Sequence, residues 1–375
     1  MKRIGIFGGT FNPVHNEHVA LAKFAVKELK LDKLFVLPTY QSPHKAHSGA
    51  SPEDRLNMLK LAFLGEEKIE VSSFEIDRGE ISYSYITAEH FKKEYGAQVF
   101  MLVGADMLKD FKTWRYPDRI LSAVNLVACQ RKGDKADIKK EIKYIKDNFG
   151  ATVLELDFCG ENQSSTKIRT YASLVLSVED FTPFSVAEYI SQKGLYKGGE
   201  IEEFVASTLP KKRLVHTANV IVTALKWAKR LGLSEYSVKT AGALHDVAKY
   251  KSVNDYENFI VEENMPAPVI HAFLGAFIAE KVLKITDEDI INAIRYHTSG
   301  RPNMSNLEKL IFVADMIEEG RDYEGVDALR EYYEKDFNSA FLECLKEETL
   351  HLKNKKAEIY RLTIDAYEYY LKGEK

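Results

Sequence analysis

The chain has 375 residues, roughly two and a half times the length of an average domain, so we expect two domains. Its composition, 45% hydrophobic and 29% charged, is typical of a globular protein and excludes a disordered or fibrous one. Lys and Arg total 52 against 56 Asp and Glu, a formal net charge of −4. This balance offers no general basic surface, so we expect neither a nucleic-acid partner nor a membrane partner.

The N-terminal residues turn glycine-rich after a few apolar positions and do not have the pattern of a signal peptide. No uncharged apolar run reaches the ~18 residues of a membrane helix. The three cysteines, Cys129, Cys159 and Cys344, are scattered and fit neither a disulfide framework nor a thiolate metal site. We therefore expect a cytoplasmic protein whose thiols have no chemical role.

The first half alternates short apolar runs with helical patterns. Strands are predicted at residues 4–7, 34–37, 99–103, 126–129 and 152–156, and helices at 18–30 and 55–63. Alternation of strands and helices predicts a parallel sheet covered on both faces, a Rossmann-like α/β domain.

The second half has a different pattern. Residues 197–200, Lys-Gly-Gly-Glu, read as a linker between a domain of residues 1–196 and one of residues 201–375. Beyond the linker, apolar residues recur at helical spacing in segments 215–231, 238–249, 269–283, 287–296, 307–317 and 337–370. The second domain is therefore predicted to be all-helical.

A candidate phosphate site follows the first predicted strand. Gly8 and Gly9 would let the backbone approach a ligand, and the helix that begins just afterwards would offer N–H groups to an anion. His15 and His18 are three residues apart, so both rings could face one phosphate. A glycine pair alone is ordinary turn geometry, but two histidines in the same turn favour a functional site.

The segment 8–18 resembles the nucleotidyltransferase signature His-x-x-His, and the wider chain resembles bacterial nicotinate-nucleotide adenylyltransferases. Further matching segments are 43–45, 81–85, 104–107, Trp114 and 164–169, so the resemblance covers residues 1 to about 196. It implies adenylyl transfer from ATP to nicotinate mononucleotide, with magnesium, giving nicotinate adenine dinucleotide and pyrophosphate.

The resemblance also implies roles for individual residues. His15 and His18 would be catalytic. The ATP-binding residues would be Gly8, Gly9, Thr10, Phe11, His15, His18, Gly104, Asp106, Ser165, Thr166 and Arg169. Lys45, Ser84 and Trp114 would bind the nicotinate nucleotide.

Two residues depart from the family pattern. Asn12 stands where Asp is common, and Glu17 stands where Gly is usual between the histidines. A carboxylate this close to a phosphate site would repel ATP unless it turned to solvent or helped to hold magnesium. Glu17 is therefore the main support for an alternative in which one domain is a non-catalytic nucleotide sensor.

Four histidines and two aspartates recur on successive predicted helices of the second half. They are His216, His245, Asp246, His271, His297 and Asp315, with His245 and Asp246 adjacent inside an apolar segment predicted to be a buried helix. A buried, uncompensated Asp is costly, and a bound metal would provide the compensation.

The pattern His…His-Asp…Asp resembles the HD phosphohydrolase superfamily. Within this superfamily, residues 200 to 375 resemble the bacterial symmetrical diadenosine tetraphosphatases. The matching segments are 213–217, 244–249, 271–276, 294–300 and 314–321. The resemblance implies four metal ligands: His216, His245, Asp246 and Asp315, with Asp246 catalytic. It implies that tetraphosphate or a second metal contacts His271, His297, Arg321 and Lys249.

The implied metal is iron, although imidazole and carboxylate ligands also suit manganese, nickel or zinc. The function predicted for the whole chain is thus bifunctional: adenylyl transfer, and hydrolysis of diadenosine tetraphosphate to two ADP by a metal-activated water. Two alternatives stay open, a different nucleotide substrate for the helical half, such as a guanosine alarmone or a nucleoside monophosphate, and a sensor role for one half. A homo-oligomer is compatible with the sequence, which does not determine the oligomeric state.

Overall fold

The structure is a computed structural model that describes residues 2–42, 49–131, 138–160, 163–356 and 358–372, without the side chains of Asp106, Gln130, Arg131 and Lys372. It divides into two compact units. The first comprises Met1–Arg169 and Ser177–Tyr196, and the second comprises Thr170–Leu176 and Lys197–Lys375. Residues 170–176 thus belong with the second unit although they precede the predicted linker.

The first unit contains a six-stranded, fully parallel sheet, which confirms the predicted α/β class. Its strands are β1 Arg3–Gly9, β2 Lys33–Pro38, β3 Ile69–Val71, β4 Gln98–Gly104, β5 Asn125–Arg131 and β6 Leu154–Phe158. Strand β3 was not predicted, because three residues are too short to show a period. Strand β6 begins two residues after the predicted segment does.

Helices cover this sheet. They are α1 Asn16–Glu28, α2 Pro52–Ala62, α3 Phe74–Arg78, α4 Ser84–Tyr95, α5 Ala105–Lys109, α6 Pro117–Ala123, α7 Lys139–Phe149, α8 Ser165–Ser173 and α9 Phe184–Lys193. The second half of α8 belongs to the second unit.

The strand order β3-β2-β1-β4-β5-β6 changes direction between β1 and β4. In open parallel sheets, ligands bind at the carboxyl ends of the strands where the order reverses. Gly8 and Gly9 end β1, and Gly104 ends β4. The sheet therefore brings two of the predicted glycine segments to one crevice.

The described part of the second unit is helical, as predicted. In addition to the end of α8, its helices are α10 Glu200–Thr208, α11 Lys211–Ala228, α12 Glu235–Leu244, α13 Ala267–Phe277, α14 Glu288–Tyr296, α15 Asn306–Ile317, α16 Val326–Lys335, α17 Phe337–Asn354 and α18 Arg361–Tyr367.

Two helix predictions in this unit were wrong. The segment 238–249 is helical only to Leu244, and His245 and Asp246 lie in the following turn, where the amide of Lys249 bonds to the carbonyl of Asp246 at 2.9 Å in the tighter three-residue pattern. The segment 337–370 is two helices, α17 and α18, rather than one. Lys356 adopts a left-handed conformation with φ of 51°, which ends the first of them.

Helices α11 and α12 approach closely at Gly242. A Cβ atom placed there would lie 2.8 Å from Cγ1 of Ile221. The missing side chain thus lets α12 pack directly on α11, the helix that carries His216.

None of the described helices is both long enough and apolar enough to cross a bilayer. The three cysteines are unpaired, and Cys159 is exposed. Burial raises the pKa of the Cys129 and Cys344 thiols to about 12, so these two stay protonated near neutral pH.

Candidate functional sites

The two histidines of the first unit form the N-terminal cap of α1. The backbone amide of His18 donates to Nδ1 of His15 at 3.4 Å, and the amide of His15 donates to Nδ1 of His18 at 3.2 Å. The rings stack with centroids 3.5 Å apart. Because each Nδ1 accepts a hydrogen bond, the proton of each neutral ring lies on Nε2. Nε2–H is therefore the donor that these rings can offer to an anion.

The beginning of α8 lies against the same turn. The hydroxyl of Ser165 donates to the carbonyl of Pro13 at 2.8 Å. Arg169 donates to the carbonyl of Asn12 at 2.8 Å and to the hydroxyl of Thr166 at 3.1 Å. The structure thus brings Ser165 and Arg169, which are about 150 residues from the histidine turn in sequence, into direct contact with that turn, and Thr166 contacts Arg169.

Arg55 is a structural residue of this site that the sequence analysis missed. Its side chain is 3% exposed and donates to the carbonyls of Thr10 at 2.8 Å and Tyr40 at 3.1 Å. The amide of Tyr40 in turn donates to the hydroxyl of Ser82 at 3.0 Å. Arg55 therefore ties the glycine turn to the loop after β2. A single Arg on an amphipathic helix carries no sequence signal for burial.

The residues predicted to bind the nicotinate nucleotide are described only in part. Ser84 begins α4, two residues after Ser82. The Trp114 ring lies 5.3 Å from Phe111, and its indole nitrogen is buried without a hydrogen-bond partner among the described residues. Lys45 lies outside the described residues, and so does the side chain of Asp106.

The two residues that depart from the family pattern are both buried and hydrogen-bonded within the first unit. Glu17 is 5% exposed, and its Oε2 accepts the backbone amide of Gln163 at 3.2 Å. Asn12 accepts the amide of Ala50 at 3.2 Å and the hydroxyl of Tyr196 at 2.7 Å through Oδ1. Glu17 is buried, not turned to solvent, and it contacts the loop that leads into α8.

In the second unit, four predicted metal ligands converge. Nε2 of His216 lies 3.3 Å from Nε2 of His245, 3.6 Å from Oδ2 of Asp246 and 3.1 Å from Oδ1 of Asp315. His245 is likewise 3.6 Å from Oδ2 of Asp246 and 4.0 Å from Oδ1 of Asp315. These residues come from α11, the turn after α12, and α15.

A second group shares Asp246 with the first. Nε2 of His271 lies 2.9 Å from Oδ1 of Asp246, and Nε2 of His297 lies 3.8 Å from the same atom. The two imidazole Nε2 atoms are 3.3 Å apart. Burial alone would raise the pKa of Asp246, but the adjacent histidines and Lys249 hold it below its ordinary value. The ionised carboxylate therefore faces one histidine pair with each oxygen.

The donor atoms of this cluster fit a metal. Nδ1 of His245 and of His297 lies 2.7 and 2.8 Å from the backbone carbonyl three residues earlier, so Nδ1 carries the proton and Nε2 has the lone pair. Burial lowers the pKa of both rings, that of His297 to about 3. Neutral Nε2 atoms about 3 Å apart would repel one another, and a cation between them removes this repulsion.

Three cationic side chains border the cluster. Arg213 lies 2.7 Å from Oδ2 of Asp246, Lys249 lies 3.5 Å from Oδ1 of Asp246, and Arg321 contacts both Oδ1 and the carbonyl of Asp315. Arg213 was not predicted as a site residue, although it lies one helical turn before His216.

Glu318 is another residue whose role the sequence analysis missed. It is 3% exposed, and its Oε1 lies 3.1 Å from Nδ1 of His216. Burial alone would raise the pKa of Glu318, but hydrogen bonds from His216, Gly320 and Asn219 lower it, so the group stays ionised. Its position three residues after Asp315, just beyond the end of the helix that carries this ligand, was the available signal.

A cavity of about 250 Å³ opens beside the cluster. Its lining includes two cluster residues, His297 and Asp315, together with Arg321, Tyr323 and His351. The lining also includes Glu347, Glu348, Phe312 and Met316, so cationic, acidic and apolar groups surround a space that adjoins the candidate metal ligands.

These observations define a class: a nucleotidyltransferase-like α/β unit joined to a helical unit with a His-Asp metal centre. The cytidylyltransferase-like family model matches residues 6–171, and the HD domain model matches residues 213–320. The chain is 30% identical to a Mycoplasma genitalium protein named "Probable nicotinate-nucleotide adenylyltransferase/Ap4A hydrolase", over 92% of this chain and 97% of that relative. The chain therefore belongs to this family of two-domain enzymes, as its motifs predicted.

Each half also resembles a separate protein. Over 52% of the chain, it is 37% identical to a Clostridium botulinum protein named "Probable nicotinate-nucleotide adenylyltransferase", 99% of which is covered. Over 45% of the chain, it is 36% identical to the Bacillus subtilis "Bis(5'-nucleosyl)-tetraphosphatase, symmetrical", 95% of which is covered. Each half thus matches nearly the whole length of a protein named for one activity.

Proposed function

We propose that the first domain transfers the adenylyl group of ATP to nicotinate mononucleotide and that the second hydrolyses diadenosine tetraphosphate to two ADP. The observation that carries the proposal is that the histidines of the two domains hold their ring protons on different nitrogen atoms. In the first domain, Nδ1 of each histidine accepts a backbone amide, which places the ring proton on Nε2; in the second, Nδ1 of His245 and of His297 lies against a backbone carbonyl, which places a lone pair on Nε2.

In adenylyl transfer, a phosphate oxygen of the mononucleotide attacks the α-phosphorus of ATP, and the bond to the β-phosphate breaks to release pyrophosphate. A phosphate nucleophile needs little base assistance, so the protein mainly positions the reactants and stabilises negative charge. We assign His15 and His18 to the ATP phosphates. Ser165, Thr166 and Arg169 hold the departing pyrophosphate at the N-terminus of α8.

The remaining assignments follow the family resemblance. Gly8, Gly9, Thr10, Phe11, Gly104 and Asp106 contact ATP at the carboxyl ends of the strands, and Lys45, Ser84 and Trp114 contact the nicotinate nucleotide. Magnesium enters with ATP, because this ion is usually held by substrate phosphates and water with few protein ligands.

In the second domain, His216, His245, Asp246 and Asp315 would hold one metal ion. His271 and His297 would hold a second ion together with Asp246, or would contact a phosphate. When bound, the metal activates water and stabilises the charge that develops on the attacked phosphate. Arg213, Lys249 and Arg321 orient phosphate oxygens, and the adjoining cavity receives part of the nucleotide. We propose iron from the family resemblance; the imidazole and carboxylate donors also suit manganese, nickel or zinc.

Both activities can be tested on the full chain with two site variants. His18→Ala should reduce formation of nicotinate adenine dinucleotide roughly 100-fold or more, because it removes a donor to the reacting phosphates, and should leave ADP release from diadenosine tetraphosphate intact. Asp246→Ala should abolish ADP release from diadenosine tetraphosphate and leave formation of nicotinate adenine dinucleotide intact. The matched controls are His90→Ala, on α4, and Asp255→Ala, both outside the two clusters.

The products decide between the candidate functions. A guanosine alarmone and a nucleoside monophosphate should be assayed beside diadenosine tetraphosphate. Hydrolysis of one of these without any ADP release from the tetraphosphate would contradict the proposed substrate, and loss of both activities in either variant would contradict independent sites.

A further inference from the structure

Glu318 occupies a position in which each carboxylate oxygen has a different partner. It follows α15, and its Oε1 lies 3.1 Å from Nδ1 of His216. Its Oε2 accepts the side-chain amide of Asn219 at 3.0 Å and the backbone amide of Gly320 at 2.6 Å. One oxygen thus faces the histidine, and the other is held by two donors.

The surroundings fix this orientation. The hydroxyl of Tyr171 donates to Oδ1 of Asn219 at 2.8 Å, so Asn219 presents its NH₂ group to Glu318. A Cβ atom at Gly320 would lie 3.1 Å from Oε2, so the bare backbone allows the close approach. Arg330 donates to the carbonyl of Glu318 at 2.7 Å and holds its backbone. The carboxylate therefore cannot rotate without breaking several hydrogen bonds.

This arrangement determines the proton position on His216. A carboxylate only accepts hydrogen bonds, so Nδ1 of His216 must be the donor, which leaves Nε2 as the ring atom whose lone pair can bind a metal. Nε2 is the atom that lies 3.1 Å from Asp315 and 3.3 Å from His245. In His245 and His297 the Nδ1 atom contacts a backbone carbonyl, whereas in His216 it contacts the side chain of Glu318.

We propose that Glu318 is a positioning residue of the metal centre, which holds His216 in the tautomer whose Nε2 binds the metal and so raises the metal affinity of the second domain. The proposal rests on the proposed metal centre. It extends that function by naming a residue that contacts neither metal nor substrate but determines whether one ligand can bind.

The substitution Glu318→Gln tests the proposal because it replaces a carboxylate with an amide of almost the same size. The amide has one oxygen and one NH₂ group. Two donors, Asn219 and Gly320, require the oxygen at the Oε2 position, so the NH₂ group must face Nδ1 of His216. Two donors cannot face each other, so His216 changes tautomer and Nε2 becomes protonated.

Metal binding is the first measurement. The full chain is freed of metal and titrated with Co²⁺, whose visible absorption reports the ligand set. We expect Glu318→Gln to weaken Co²⁺ binding roughly 10–100-fold and to alter the spectrum, as loss of the partner of a ligating His does elsewhere. Glu318→Asp should retain part of the affinity because it keeps the charge. Glu324→Gln, the same charge change at an exposed residue, should leave both readouts unchanged.

The second measurement is the tautomer of His216 by ¹⁵N NMR of the imidazole, assigned by its loss in His216→Asn. The metal-free wild type should carry a proton on Nδ1, and Glu318→Gln should carry one on Nε2 alone. Equal Co²⁺ affinity in wild type and Glu318→Gln would overturn the proposal. If Glu318→Gln fails to fold, the wild-type spectrum decides, and the absence of a proton on Nδ1 there overturns the proposal. A wild type that binds no transition metal would instead overturn the metal centre itself.

Discussion

The histidines of the two domains differ in what their Nδ1 atoms contact. In His15 and His18, Nδ1 accepts backbone amides, which leaves Nε2–H as a donor. In His245 and His297, Nδ1 lies against backbone carbonyls, which leaves a lone pair on Nε2. The same residue type therefore suits an anion in one domain and a cation in the other, because the backbone partner decides where the proton lies.

Glu17 is the residue whose role changes most once its contacts are known. The buried carboxylate accepts the amide of Gln163, just before the Ser165 and Thr166 segment, and a Cβ at Gly160 would lie 2.7 Å from its Oε1. Glu17 thus fills space that Gly160 leaves open and holds the loop leading into α8. This contact gives Glu17 a structural role, so its presence beside the histidines does not by itself require the sensor alternative.

For Glu17→Ala we predict a higher KM for ATP and a loss of about 1–3 kcal/mol in the free energy of unfolding, because a buried amide loses its acceptor. Glu17→Gln keeps an oxygen that can accept, so its change should be smaller. Initial rates of pyrophosphate release and urea unfolding measure the two effects. A rise in turnover in Glu17→Ala would show instead that the carboxylate blocks catalysis.

At the scale of elements, the metal cluster depends on how closely helices approach. Helix α11 carries His216, and α12 ends one residue before His245. The absent side chain at Gly242 permits their contact at Ile221. Helix ends then place three of the candidate ligands, because His245, Asp246 and His297 all lie just beyond the last residue of a helix.

Gly242→Ala should therefore weaken Co²⁺ binding and reduce stability by about 1–3 kcal/mol, despite the better helix propensity of Ala, because the new methyl overlaps Ile221. Ile221→Ala alone should also destabilise by leaving a cavity. The double variant should lose less than the sum of the two, since the added methyl occupies part of that cavity. Strict additivity in urea unfolding would argue against a steric cause.

At the scale of the whole molecule, the functions proposed for the two domains call for different metals. Magnesium prefers oxygen ligands and travels with nucleotide phosphates, whereas four imidazoles around Asp246 and Asp315 favour a transition metal. Among the described residues, both groups that could hold an ion through three or more such ligands lie in the second unit.

After chelation and dialysis of the full chain, Mg²⁺ alone should restore adenylyl transfer to its initial rate. Hydrolysis of diadenosine tetraphosphate should stay at least roughly tenfold lower until Fe²⁺ or Mn²⁺ is added, because water activation needs the ion at the histidine cluster. Both rates are followed in one preparation. Full recovery of hydrolysis with Mg²⁺ alone would contradict the assignment of the cluster to a transition metal.

The sequence by itself determined the fold class and the family and predicted a set of candidate ligands, because these depend on strand and helix periods and on short motifs such as 8–18 and 244–249. Its errors were local: β3 was too short to detect, and the helix before Asp246 was extended beyond Leu244. Neither error changed the predicted class.

Only the tertiary structure decided where the decisive side chains point. Glu17 meets Gln163 across 146 residues of sequence, and Glu318 meets His216 across 102. Arg55, on α2, donates a hydrogen bond to the carbonyl of Thr10 in the glycine turn. No local pattern encodes such contacts, because a carboxylate beside a phosphate motif and one buried under a loop have the same sequence. Burial and the partner's hydrogen-bonding atoms, which only folding brings together, make the difference.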